Sequence, residues 1–148
     1  MGKYTVIDAS NTILGRLSST VAKKLLEGEK VMIVNAEKAV ISGKRRQVIE
    51  SYKARTNLRT ATSPWKGPFH YRRPDKFLKR TVRGMLPFKT SRGREAFRRL
   101  TVYLGVPDHI IKEEIQVMRN IDATRLKNKY ITIKELAKEL GWSCKEEL

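Results

Sequence analysis

The stretch that most restricts the fold is Val31-Met32-Ile33-Val34, four apolar residues with no polar interruption. A strand with one wet face alternates apolar and polar residues. An unbroken run needs burial on both faces, as in a parallel sheet covered by helices. The chain before it supplies the rest of the unit. Tyr4 to Ala9 reads as a first strand, with β-branched Val6 and Ile7, closed by Asp8-Ala9-Ser10-Asn11-Thr12. Leu14, Leu17, Val21, Leu25 and Leu26 then recur at helical spacing, and Gly28 stands where a helix stop belongs. With the second strand at Lys30–Asn35, residues 4–35 read as one βαβ unit with the right-handed crossover such units take.

Further elements follow from local pattern. Ala39-Val40-Ile41 is a short apolar strand or turn. Ser42 is placed to cap a helix through about Arg55, with Val48, Ile49 and Tyr52 inward and Lys44, Arg46 and Lys53 outward. Residues 56–73 lose periodicity and contain Pro64, Gly67 and Pro68, so they read as an extended basic loop. Pro74 and Asp75 open the next helix. On it Lys76, Lys79, Arg80 and Arg83 fall on one side and Leu78, Val82, Met85 and Leu86 on the other, until Pro87 stops it. Ser91 is expected to cap a short helix with Ala96, Phe97 and Leu100 inward and Arg94 and Arg98 outward. Leu100–Leu104 is a third strand, closed by Gly105 and Pro107. Residues 108–129 read as one helical turn and irregular chain. Thr132 and Glu135 form a capping-box pattern flanked by the Ile131/Leu136 staple. Leu136, Ala137 and Leu140 continue that stripe, Gly141 ends it, and Trp142 is expected to pack the helix onto the body.

The length of 148 residues suits one domain, and 40% hydrophobic residues suffice for a core. The net charge of +17 is concentrated. Residues 43–99 hold 18 Lys or Arg against three acids, Glu50, Asp75 and Glu95, a net +15. Residues 1–42 contribute +2 and residues 100–148 contribute 0. A general solubility device would be spread over the chain. A concentrated one calls for a partner of dense negative charge, and nucleic-acid phosphate is the obvious one. The aromatics Trp65, Phe69 and Tyr71 lie among these cations, where packing against the body and stacking on unpaired bases are equally open to them.

Other chemistries find little support. A metal-dependent nuclease needs clustered carboxylates, and three scattered acids do not make a cluster. Glu95 is better read as the i,i+4 partner of Arg99. His70 sits in the basic loop, where stacking or phosphate contact suits it. His109 reads as surface. Ser42-Gly43-Lys44 hints at a phosphate loop, but Walker A needs Gly at 38 and Ser or Thr at 45, where Lys38 and Arg45 stand. No GxGxxG follows the first strand. Cys144 is the single cysteine, which rules out an intrachain disulfide and a Cys-based zinc site and fits a reducing compartment. No secretory leader is read in Met1–Asp8, and the longest apolar run is far too short to span a bilayer. Neither a cofactor, a membrane nor a small-molecule substrate is expected.

The motifs together resemble a known family. Ile7-Asp8-Ala9, Leu14-Gly15-Arg16-Leu17-Ser18, Val34-Asn35-Ala36-Glu37, Ile41-Ser42-Gly43 and Gly67-Pro68-Phe69 cover the first half. Arg83-Gly84-Met85-Leu86-Pro87, Val102-Tyr103-Leu104-Gly105-Val106-Pro107 and Gly141-Trp142 cover the second. They resemble the universal large-subunit ribosomal protein thirteen, in its archaeal and eukaryotic branch. The Arg-Gly-Met-Leu-Pro block with the Val-Tyr-Leu-Gly strand is the specific part. The resemblance implies a three-layer α/β/α domain around a small, mainly parallel sheet. It implies binding to large-subunit ribosomal RNA, a role in early subunit assembly, neighbouring large-subunit proteins as partners and a cytoplasmic location, with no catalysis.

The residues expected to meet that RNA are all in the basic segment. Lys44, Arg45, Arg46, Lys53 and Arg55 lie on its first helix; Arg59, Lys66, His70, Tyr71, Arg72 and Arg73 lie in the loop. Lys76, Lys79, Arg80 and Arg83 follow on the 74–86 helix, then Lys89, Arg92, Arg94 and Arg98. Two rival classes are an RNA-processing enzyme and a DNA-compacting protein.

Overall fold

The structure, a computed structural model, describes residues 4–108, 110 and 115–143. Expectations for His109 and Cys144 lie outside these residues. β1 (Tyr4–Asp8), α1 (Leu14–Leu26) and β2 (Lys30–Val34) form the predicted first unit, with β1 and β2 parallel and Ile7 opposite Ile33. β3 (Val40–Ser42) and α2 (Arg45–Asn57) follow, then α3 (Pro74–Met85), α4 (Ser91–Arg98) and β4 (Leu100–Val102). β5 (Ile115–Val117), β6 (Tyr130–Thr132) and α5 (Ile133–Glu139) complete the order.

The main sheet runs β4-β2-β1-β5 with every pairing parallel. The unbroken apolar run of β2 has the expected cause. Val31 and Ile33 enter the cluster shared with Leu17 and Val21 of α1 and Leu78 and Val82 of α3. Met32 and Val34 point the other way, with Val6, onto Tyr103, Val106 and Ile110. Helices on one face, the sheet, and the segment after β4 on the other give the three-layer α/β fold. A second sheet pairs β3 antiparallel with β6. It carries α5 and α2 around Ile49, Ile131, Leu136 and Leu140.

The parallel sheet changes direction of growth between β1 and β5, the place where α/β sheets often open a ligand crevice. Here the carboxyl end of β1 is taken up by its own polar groups. The Asp8 carboxylate accepts from the Ser10 backbone N–H at 2.9 Å, the Ser10 hydroxyl at 2.8 Å and the Asn35 side-chain amide at 2.9 Å.

Several expectations need correction. Ser42 does not cap α2: it is the last residue of β3, and Lys44 occupies the N-cap without a side-chain hydrogen bond. Thr90, not Ser91, caps α4, its hydroxyl oxygen accepting from the Gly93 N–H at 3.2 Å. α2 runs on to Asn57, so the loop is shorter than 56–73, and Pro64–Lys66 forms a 3₁₀ turn within it. The third strand closes at Val102 rather than Leu104. The region read as irregular contains β5, and β6 leads into α5. Met85 is 42% exposed instead of facing the core, because the buried stripe of α3 is a narrow one on Leu78 and Val82. The α5 cap is as expected, with the Thr132 hydroxyl accepting from the Glu135 N–H at 3.2 Å. Trp142 is half-buried. No described helix is long and apolar enough to cross a membrane.

Candidate nucleic-acid interface

The basic segment folds as three helices and a loop, each exposing cations for a local reason. α2 buries only Ile49, with Val48 and Tyr52 partly covered, so most of its circumference is free for charge. α3 is strongly two-faced. Leu78 and Val82 are 0% exposed, and Lys76 and Arg80 lie on the exposed side. Pro74 stands in the first turn and Asp75 pairs with Arg73 at 3.1 Å. α4 buries Ala96 and turns Arg92, Arg94 and Arg98 outward. The loop exposes Arg59, Lys66, His70, Arg72 and Arg73, and Lys89 is exposed between α3 and α4.

Among the described residues, acids neutralise little of this surface. Arg45 and Lys53 share Glu139 of α5, at 2.9 and 3.4 Å, and Arg46 pairs with Glu50 at 2.7 Å. With Arg73 these are four of the 18 cations of the segment. All four pairs are solvated and worth about 0–1 kcal/mol each, so a phosphate can exchange for the carboxylate. The expected Glu95–Arg99 pair is not formed. Arg99 instead donates to the Leu25 carbonyl at 2.9 Å, and Arg92 donates to that of Leu26 at 3.4 Å. Both cap the negative end of α1. Arg92, counted among the partner-facing residues, is thus also tied to the fold.

Four cations are held in place by rings rather than acids. The Arg55 guanidinium lies 4.9 Å from the Tyr52 ring centre and that of Arg83 lies 3.9 Å from Phe88. Lys79 Nζ is 5.3 Å from Phe97 and Lys76 Nζ is 6.0 Å from Tyr71. A ring face attracts a cation without cancelling its charge, so these groups are oriented and still fully positive. Sequence reasoning named Tyr71 and missed Phe88 and Phe97 as platforms. Phe97 reads as an inward-facing residue of its helix and Phe88 carries no local signal, and their pairing with Lys79 and Arg83 arises only when α4 folds back on α3. The loop aromatics resolve in favour of exposure: Trp65 is 84% and Phe69 74% exposed.

Among the described residues no group of three or more His, Cys, Asp or Glu is arranged to hold a metal ion. The exposed Lys and Arg side chains, with rings beneath four of them, outnumber the acids of this surface and suit an anionic partner with planar groups.

Comparison with known sequences fits this surface. The family model described as Ribosomal protein L13 matches residues 2–109. The chain belongs to the ribosomal protein L13 family. It is 48% identical over 141 residues to the large ribosomal subunit protein uL13 of Archaeoglobus fulgidus, covering 94% of this chain and 88% of that one. It is 50% identical over 138 residues to the protein of that name from Methanococcoides burtonii, covering 93% and 97%. The Saccharolobus solfataricus protein of that name is 45% identical over 142 residues, covering 95% of each. The family is one of structural ribosomal proteins, not enzymes.

Proposed function

We propose that this chain is a structural constituent of the large ribosomal subunit, where it binds and braces large-subunit ribosomal RNA and supports early assembly. The observation that carries the reading is the +15 of residues 43–99, displayed on three helices and a loop with only four of its cations in ion pairs among the described residues. Lys and Arg from Lys44 to Arg98 meet backbone phosphates, which fixes the position of the protein without reading sequence. Trp65, Phe69 and Tyr71 on the loop reach bases where the RNA is unpaired. Where RNA segments converge, their phosphates repel, and a body with one strongly basic side offsets that repulsion. The place of action is the cytoplasmic ribosome, beside other large-subunit proteins, and residues 1–148 act as one domain.

Salt dependence is the test. Neutralising about eight to ten phosphates lowers affinity by roughly 10³–10⁵ between 50 and 200 mM salt. Filter binding of the purified protein to a large-subunit rRNA fragment should give that slope, with duplex DNA of equal length bound more weakly. A nearly flat log–log plot would show that the cations are not phosphate contacts. Equal binding of DNA would favour a compacting protein instead.

A further inference from the structure

Two clefts flank the exposed edge of α3 and share a partition made of Tyr71 and Arg80. One, of about 440 Å³, lies between α2, α3 and the loop. Its apolar wall includes Tyr52 and Phe77, whose ring centres are 5.2 Å apart, and Phe69 and His70 also line it. The other, of about 370 Å³, lies between α3 and α4. Its apolar wall is the edge-to-face pair of Phe88 and Phe97, with centres 5.4 Å apart, and Lys79 and Arg83 line it with their charges over those rings.

Building on the RNA-binding reading, we infer that these clefts hold two consecutive unpaired nucleotides of the RNA, one base in each, with Arg80 on the phosphate between them. Each volume lies in the range of sites for small planar ligands. Arg80 is exposed and forms no ion pair among the described residues, so its guanidinium is free for a bidentate phosphate contact. The second cleft is lined by cations and rings, with the Tyr71 hydroxyl as its one other polar side-chain group. Phosphate is an acceptor without donors and matches such a lining. An acidic peptide matches it less well, because its backbone N–H groups need acceptors and the backbone carbonyls of the two helices are largely spent within them. Duplex RNA fits worse again, since its bases are stacked and closed to both clefts.

The test compares an RNA hairpin bearing a two-nucleotide bulge, with 2-aminopurine in the bulge, against the same hairpin fully paired. The full chain at fixed salt should bind the bulged RNA at least about tenfold more tightly, since one stacked base alone is worth that much, and 2-aminopurine fluorescence should change on binding. Tyr71→Ala should abolish the preference and the fluorescence change, leaving the bulged hairpin bound no more tightly than the fully paired one, since the contacts that remain are to phosphate. Arg80→Lys should keep the charge and lose part of the preference, as a point charge replaces the planar fork. Equal, salt-sensitive binding of both hairpins with silent fluorescence would overturn the two-cleft site and leave the phosphate-binding reading standing. Weak, salt-insensitive binding of both would overturn both. Bulged RNA without preference, beside tight capture of a Glu-rich peptide lost in Tyr71→Ala, would assign the clefts to a protein partner and overturn the inference.

Discussion

The two faces of α3 can be separated by two variants of opposite expected behaviour. Val82 is 0% exposed in the cluster with Leu17, Val21 and Leu100. In Val82→Asp, loss of the buried apolar side chain costs about 1.5–3 kcal/mol. An ionised carboxylate is too costly there, so the group protonates. Raising its pKa above 7 costs about 1.4 kcal/mol per unit, or about 4 kcal/mol over three units. Hydrogen-bond groups left without partners add about 1–3 kcal/mol. The total exceeds about 5 kcal/mol, a large part of the 5–15 kcal/mol that stabilises an ordinary domain. The partner variant is Arg80→Glu with Arg83→Glu. Arg80 is exposed, and its change is worth about ±0.5 kcal/mol. Arg83 is half-buried over Phe88 at 3.9 Å, so its loss adds roughly 0.5–2 kcal/mol. At about 3–4 °C per kcal/mol for a chain of this size, the double variant melts at most about 10 °C lower and remains folded. Val82→Asp melts at least about 15 °C lower or does not fold. Binding behaves the other way: two phosphate contacts become repulsions, and the salt slope for rRNA falls by about 2. Thermal melts paired with rRNA titrations decide it. A double arginine variant that unfolds, beside a Val82→Asp that melts like the parent, would show that the faces are reversed.

Trypsin should cut the free protein first near Arg59, Lys66 or Arg72, because residues 58–73 contribute little to the core, and bound rRNA should protect these sites. Equal cleavage with and without RNA would refute this. Gly93→Ala should destabilise by about 1–3 kcal/mol in urea unfolding, since an added Cβ would run into the Pro87 carbonyl oxygen. Thr90→Ala should cost about 1 kcal/mol through the lost cap. Parent-like stability of Gly93→Ala would mean that α4 does not start against Pro87. The Glu29 carboxyl is held below its ordinary range by the hydrogen bonds from Lys24, at 3.2 Å, and Thr5, at 3.1 Å. A lowered pKa stabilises the fold above the unfolded value and is lost as pH falls through the folded one. The advantage of the parent over Glu29→Gln should therefore hold at pH 7 and shrink below about pH 4; an advantage independent of pH would contradict the ion pair.

Much of this protein was legible because its signals are local. The run Val31–Val34 specifies a strand buried on both faces, whatever lies above and below it. The Leu14–Leu25 stripe, the Leu78/Val82 face of α3 and the Thr132 cap of α5 each depend on neighbours three or four residues away. The concentration of charge in residues 43–99 needs no geometry to be read. What the tertiary structure decided is non-local. β5 and β6, Ile-Gln-Val and Tyr-Ile-Thr, carry no apolar run to mark them, and they pair with the hydrogen-bonding edges that β1 and β3 offer. Which acid meets Arg45 and Lys53 depends on α5 lying beside α2, 94 and 86 residues away in sequence. Met85 satisfies the helical stripe and is still exposed, because a wheel gives direction around the axis but not the width of the partner surface. The rings beneath Lys79 and Arg83 come from chain that is distant or turned back, and only packing of α4 on α3 brings them together.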